Sequence, residues 1–179
     1  MATLKIPVTA NDHVQGDITA PIVLVEYGDY ECPYCGAAHP IVNALVDKFS
    51  EDMRFVFRHF PMVQMHPFAE SAAEAAEFAG AHGRFWEMHD GLYEDQENLG
   101  VPLLFALAEA LGLPEAGLRE ALMSGEYAPK VRSDFLGGVR SGVNGTPTFF
   151  INGRRHDGTW AYEDLAGAIE ARLHATASI

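Results

Sequence analysis

Residues 21–27, Pro-Ile-Val-Leu-Val-Glu-Tyr, form a short and nearly unbroken apolar run rich in β-branched side chains. Such a run predicts a strand buried on both faces, since a half-solvated strand would alternate apolar with polar positions. After a Cys-Pro-Tyr-Cys tetrapeptide, Ala37, Ala38, Ile41, Val42, Ala44, Leu45 and Phe49 recur at the spacing of a helix that runs to about Ser50. Pro40 inside that helix lacks an amide N–H and predicts a kink. Residues 54–60 then read as a second strand. The resulting βαβ unit has a right-handed crossover and parallel strands, which end on one edge of the sheet. Cys32 and the segment His59-Phe60-Pro61-Met62 are therefore expected to meet at that edge, where α/β sheets place their sites.

Residues 67–143 read as helices. Ala69, Ala72, Ala73, Ala76 and Gly80 make a small-residue stripe, with Glu70, Glu74 and Glu77 expected on the opposite face, and Phe85-Trp86-Glu87-Met88-His89 begins a second helix. Further helices are expected at 102–111, 115–123 and 129–139, punctuated by Gly112, Pro114, Gly125 and Gly142. Strand character returns at 148–151, Asn152-Gly153 suits a tight hairpin, and residues 154–156 start the return strand. A last amphipathic helix carries Tyr162, Leu165, Ile169 and Leu173. The order β-α-β, helices, β-β-α is that of an α/β thioredoxin fold with an inserted all-helical subdomain over about 67–143. With no linker or repeat in sight, residues 1–179 are expected to be one domain.

Composition narrows the chemistry. With 179 residues and 48% hydrophobic content, the chain can bury a core without cross-links. It holds 25 acidic residues against 12 basic ones, a net charge of -13, and the basic residues are scattered, which argues against nucleic acid as partner. No segment approaches the ~20 apolar residues of a membrane span. The opening residues lack a basic and apolar leader, so a native start at Met1 implies the cytoplasm; a removed signal peptide would imply the periplasm or another extracytoplasmic space.

Cys32 and Cys35 are the only two cysteines. A disulfide between them encloses just Pro33 and Tyr34 and would constrain little of the unfolded chain, so reversible redox chemistry explains the pair better than stability does. At the first turn of a helix, the sulfur of Cys32 meets unpaired backbone N–H groups and the positive end of the helix dipole, which lower a thiol pKa; Cys32 is expected to be the exposed nucleophile and Cys35 the resolving thiol. Half of a zinc site is the competing reading. It lacks further cysteines, and His39 has no second histidine at the usual spacing, so no metal is expected. His39 is read as a surface or helix-packing residue. Thr146-Pro147 precedes a strand that must begin at the edge where the parallel strands end, which places it against Cys32.

Three segments carry a resemblance: residues 23–35 with their Cys32-Pro33-Tyr34-Cys35, Phe85-Trp86-Glu87-Met88-His89-Asp90, and residues 145–153 with Thr146-Pro147. Together they resemble the DsbA-like thiol-disulfide oxidoreductases, over nearly the whole chain. The resemblance implies exchange of a dithiol and disulfide with thiol- or disulfide-containing proteins or peptides, with no metal or organic cofactor beyond the Cys32–Cys35 pair. It makes Cys32 the attacking thiol, Cys35 the resolving thiol, and Thr146-Pro147 a cis-proline loop that binds substrate backbone beside Pro33 and Tyr34. It also suggests Glu26 as a buried acid that handles protons for Cys35, against the alternative of a partly solvated strand-end carboxylate.

One departure is Tyr34, where the best-known member has histidine. A neutral tyrosine cannot stabilise a thiolate as a cation would, and Asp29 and Glu31 are expected to oppose it, which predicts a less oxidising protein. Cys-Pro-Tyr-Cys is also the glutaredoxin motif, so glutathione-dependent reduction, with glutathione or a redox partner protein as the exchange partner, stands as an alternative. Glutathione-dependent isomerisation is disfavoured by the intact pair. A chaperone-like protein that holds unfolded chains on Phe60, Met62, Met65 and Phe68 is another alternative; in the oxidoreductase reading Phe60 and Met62 line a substrate groove instead.

Overall fold

The computed structural model describes residues 2–176. The elements run β1 (His13–Gln15), β2 (Ile22–Gly28), α1 (Pro33–Lys48), β3 (Met53–His59), α2 (Ala69–Ala81), α3 (Phe85–Glu94), a 3-10 turn (Gln96–Asn98), α4 (Val101–Ala110), α5 (Glu115–Ser124), α6 (Ala128–Arg140), β4 (Thr148–Ile151), β5 (Arg154–Arg155) and α7 (Tyr162–Thr176). The sheet order is β1-β3-β2-β4-β5. Strands β2 and β3 are parallel, and every other pairing is antiparallel. This is the α/β architecture expected from the hydrophobic pattern, with five helices between β3 and β4.

Alternation along β2 divides the core. Ile22 and Leu24 face a large cluster that takes in Cys35, Ala38, Val42 and Leu45 of α1, Phe55 and Phe57 of β3, and the helices of the insertion. Val25 and Tyr27 face the other side, where Phe60, Val143 and Phe150 pack with Leu4, Val8 and Phe135. Arg58 secures the segment covering that second face. Its guanidinium donates to Asp12 at 2.7 and 3.0 Å, to the carbonyls of Ile6 and Pro7, and to the Tyr27 hydroxyl. The sheet is thus buried on both faces, as the unbroken apolar run of β2 requires.

The structure adds one strand and corrects one expectation. Strand β1 has only three residues, too few for periodicity to register, and it exists because the edge of β3 offers its backbone a partner. Pro40 lies inside α1, which runs on to Lys48, close to the end that the spacing predicts. Glu74 and Glu77 do not lie on a solvated face of α2: both are buried, at 8% and 7% exposure, because neighbouring elements cover this helix on more than one side. Glu77 Oε1 accepts from His13 Nε2 at 2.9 Å and from His59 Nε2 at 2.7 Å, which ties α2 to β1 and β3. A buried carboxylate needs such partners to stay charged.

Candidate active site

Strand β2 ends at Gly28, where a Cβ would lie 2.5 Å from a ring carbon of Phe57, so only glycine lets the chain leave the sheet here. Asp29, Tyr30 and Glu31 lead to Cys32, the N-cap of α1, with Pro33 at its first turn. Proline suits that position because its fixed φ is helical and its missing N–H would have had no intrahelical acceptor. Cys35, three residues on, is fully buried. Both cysteines are free thiols.

Cys32 itself is 4% exposed, so the expectation of an exposed nucleophile is corrected. It is covered because the loop before β4 comes down on it: its Sγ lies 3.5 Å from the Thr146 carbonyl oxygen. The Thr146–Pro147 peptide is cis. Thr146 and Pro147 are half-buried, whereas Pro33 and Tyr34 are exposed, Tyr34 at 65%. The sulfur can therefore be approached along a rim made by these four residues.

Cys32 has its pKa lowered to about 5. The Cys35 S–H contributes most by donating to the thiolate; burial opposes it, and the Thr146 side chain and the backbone N–H groups of Cys35 and Tyr34 add to it. Cys35 moves the opposite way, raised by burial, by its own bond to Cys32 and by the charge of Glu26. Two thiols three residues apart are thus split into a ready anion and a held proton.

Glu26 lies on the face of β2 that α1 covers, in register with Phe57 on one side and Phe149 on the other. It is 3% exposed, and burial, with a smaller contribution from the Cys32 charge, raises its pKa to about 8. The structure places it as a buried acid rather than a partly solvated carboxylate. At neutral pH it carries a proton, and its charge, when formed, holds the Cys35 thiol protonated.

The segment after β3 is bound to the active-site turn. Asp29, whose side chain has no exposure, accepts from the Glu31 N–H at 2.8 Å, from the Met62 N–H at 2.8 Å and from His66 Nδ1 at 2.7 Å. Glu31 accepts from the Phe68 N–H at 2.6 Å. Met62 reaches Thr146, with Sδ 3.9 Å from Oγ1. Asp29 and Glu31, expected only to oppose the thiolate, serve as anchors for this segment.

Phe60 is a correction. It is 5% exposed and stacks on Phe135 with ring centroids 4.4 Å apart, so it supports the second core and does not line the surface. His59 and Pro61 are buried as well, while Met62 is half-buried and Val63, Met65 and Phe68 are exposed. The alternation of β3 carries on through Phe60 and turns it inward. His39, read as a surface or packing residue, packs against the rings of His89 and Tyr93.

Two residues bonded to the turn that carries Cys32 had no sequence signal. Gln96, in the 3-10 turn, donates from Nε2 to the carbonyls of Tyr30 (2.8 Å) and Cys32 (2.9 Å), fixing the turn from the far side of the insertion. His66 brings an imidazole beside Asp29. A single glutamine or histidine in a loop has no periodicity, so only the fold reveals either.

Two groups have the residue types of a metal site, His39 with His89 and Asp90, and His59 with Glu77 and Asp134. In both, protein partners already engage the ligands. His89 bonds the Tyr30 hydroxyl and His39 bonds Asn43, while Glu77 bridges two histidines and Asp134 accepts from Lys130 and from the His59 N–H. Among the described residues no helix is long and apolar enough to cross a membrane.

A family model described as thioredoxin matches residues 8–171. The chain is 46% identical over 174 residues to a Na(+)/H(+) antiporter NhaA 1 of Salinispora arenicola, covering 97% of this chain and 26% of that protein. It is 45% identical over 167 residues to a Na(+)/H(+) antiporter NhaA 3 of Salinispora tropica, again over 26% of that protein. The chain therefore spans about a quarter of the length of these curated relatives. Among solved structures, oxidised BdbD from Bacillus subtilis superposes with a TM-score of 0.86 at 26% identity, covering 97% of this chain and 98% of that one. A thioredoxin-like oxidoreductase from Silicibacter pomeroyi gives 0.79 at 25% identity, covering 93% and 94%. Wolbachia pipientis alpha-DsbA1 gives 0.84 at 20% identity, covering 98% and 97%, a likeness of fold.

Proposed function

Because the chain belongs to the thioredoxin family, in its DsbA-like branch, we propose that Cys32 and Cys35 exchange disulfides with protein or peptide thiols. The observation that carries this reading is the opposed pair of thiols: Cys32 lowered to about 5 at the head of α1, and Cys35 raised beneath it beside Glu26.

In the oxidising direction, a substrate thiolate attacks Cys32 Sγ of the disulfide form. The Cys32–Cys35 bond breaks, a mixed disulfide forms, and Cys35 leaves as a thiolate. Glu26, protonated at neutral pH, gives Cys35 its proton, which removes an anion from the core. A second substrate thiolate then attacks the substrate sulfur of the mixed disulfide. Cys32 leaves, favoured because its thiolate is stabilised, and two electrons have passed from substrate to protein.

The reverse sequence reduces a substrate disulfide, with Glu26 as the base for Cys35. The pair itself holds both electrons, so the reaction as written needs neither metal nor organic cofactor. Net direction follows the redox poise of the compartment, an oxidising space keeping the pair as a disulfide ready to donate. The exposed rim of Tyr34, Val63, Met65 and Phe68 suits apolar stretches of an unfolded substrate more than it suits a small charged tripeptide, which favours protein thiols over glutathione.

The test is thiol oxidation of a reduced, unfolded protein by the disulfide form, compared with Cys32→Ser. The variant should lose exchange altogether while still binding the unfolded chain. Exchange that persists in Cys32→Ser overturns the reading, and binding without exchange in the wild type would favour the chaperone alternative.

A further inference from the structure

We propose that His66, fixed by Asp29, is a positioning residue for charge at Cys32: its cationic form stabilises the Cys32 thiolate and links the redox state of the dithiol to a proton on the imidazole. This inference rests on Cys32 being the reacting thiol.

The inter-cysteine dipeptide supplies no cation, since Pro33 is neutral and Tyr34 points outward at 65% exposure. The segment after β3 supplies one from outside the motif. His66 Nδ1 lies 2.7 Å from Asp29 Oδ2, and the side chains are 13% and 0% exposed. The backbone carbonyl of the same Asp29 accepts the Cys32 N–H at 3.1 Å. The carboxylate that holds the imidazole and the residue that carries the thiol therefore belong to one hydrogen-bonded turn, and the Met62 N–H on Asp29 holds the imidazole's own segment in place. With Nδ1–H donating to Asp29, Nε2 is the atom that takes up and releases the second proton.

The groups that act most strongly on the imidazole, Asp29, Cys32 and Glu31, are anions or potential anions. Burial pulls the His66 pKa down, but the hydrogen bond and charge of Asp29, with smaller contributions from Cys32 and Glu31, raise it on balance. Its own segment, residues 60–68, holds no other charged side chain. Coupling between two sites is reciprocal, so a thiolate that favours the imidazolium is favoured by it to the same degree.

Oxidation removes that thiolate. Two electrons leave, the Cys32–Cys35 bond forms, Cys35 gives up its proton, and His66 gives up part of its own over the pH range in which it titrates. In the reverse sense, when Cys32 leaves a mixed disulfide, the imidazolium stabilises the departing sulfur without donating to it.

The test is an NMR titration of the His66 ring in the full chain, once with the dithiol and once with the disulfide prepared by a chemical oxidant. The His66 pKa should be higher in the dithiol form by up to about one pH unit, the low end of what a nearby opposite charge produces. In His66→Gln the Cys32 thiolate absorbance should titrate higher by the same amount, and His66→Lys, which keeps a cation, should restore it. The equilibrium with glutathione should then move by up to about tenfold toward the disulfide in His66→Gln, a potential lower by up to about 30 mV. The same His66 titration in both redox states overturns the proposal, as does an unchanged Cys32 titration in a folded His66→Gln. Loss of all exchange in the wild type would instead overturn the function on which it rests.

Discussion

The sulfur of Cys32 and the carbonyl oxygen of Thr146 lie 3.5 Å apart although 114 residues separate them in sequence. A helix N-terminus from one end of the chain and a cis-proline loop from the other converge on one atom. The backbone N–H groups and the Cys35 thiol favour the anion, and the Thr146 loop limits how much of it a substrate can reach.

Cys35→Ala should raise the Cys32 pKa by about one unit or more from its value of about 5, because the Cys35 S–H is the largest stabilising contribution. The helix N-terminus should keep it below the free value of about 8.5. Thiolate absorbance against pH measures both. An unchanged pKa in Cys35→Ala would remove Cys35 from the account of the thiolate.

Glu26→Gln should stabilise the reduced protein while slowing it. The folded carboxyl has its pKa raised to about 8 from 4.5, so its ionisation opposes folding, and stability falls as pH rises from the lower value through the upper one. The variant should gain about 3 kcal/mol at pH 7 by denaturant unfolding and lose that pH dependence. Exchange through Cys35 should slow at least tenfold, since the proton carrier is gone. Equal stability and equal rate would show that Glu26 is not the buried acid.

Glu77→Gln should cost about 1 to 3 kcal/mol near neutrality, because it replaces a buried carboxylate that two histidines hydrogen-bond. The bonds from His13 and His59 hold the Glu77 pKa below the usual carboxylate range, against burial. Its stabilisation is therefore full above the unfolded pKa of about 4.5 and is lost as pH falls through the folded one. Acid unfolding of the wild type should steepen below about pH 5, and the variant should lack that component.

Gln96→Ala should cost about 1 to 3 kcal/mol, because it leaves the Tyr30 carbonyl with no side-chain donor and removes one from Cys32. Exchange should slow by more than the loss of folded protein explains, as the turn carrying Cys32 loosens. Unfolding curves and rates under fully folding conditions separate the two effects.

Met65→Asp should slow exchange with unfolded protein thiols several-fold and leave exchange with a small disulfide unchanged. Met65 is 65% exposed, so the substitution leaves the core intact, and a charge on the rim should repel only substrates long enough to lie across it. Equal effects on both substrates, or none on either, would remove this rim from substrate binding.

Local signals were enough for four of the five strands, most helix bounds and the cysteine pair. The β-branched run of β2, the three-and-four spacing of α1 and the Thr148–Ile151 strand are periodic over their own residues, and right-handed crossover then decides which edge carries the cysteines. Cys32 and Cys35 could be read because their type and spacing occur nowhere else in the chain. Tertiary structure decided which side chains of the insertion and of the segment after β3 are inside. Glu77 and Phe60 changed sides because burial depends on what packs over a face, and periodicity within one element does not report its neighbours. His66 joins the site through one hydrogen bond and Gln96 through two, between segments distant in sequence, contacts that come into being only when the whole chain has closed around Asp29 and Cys32.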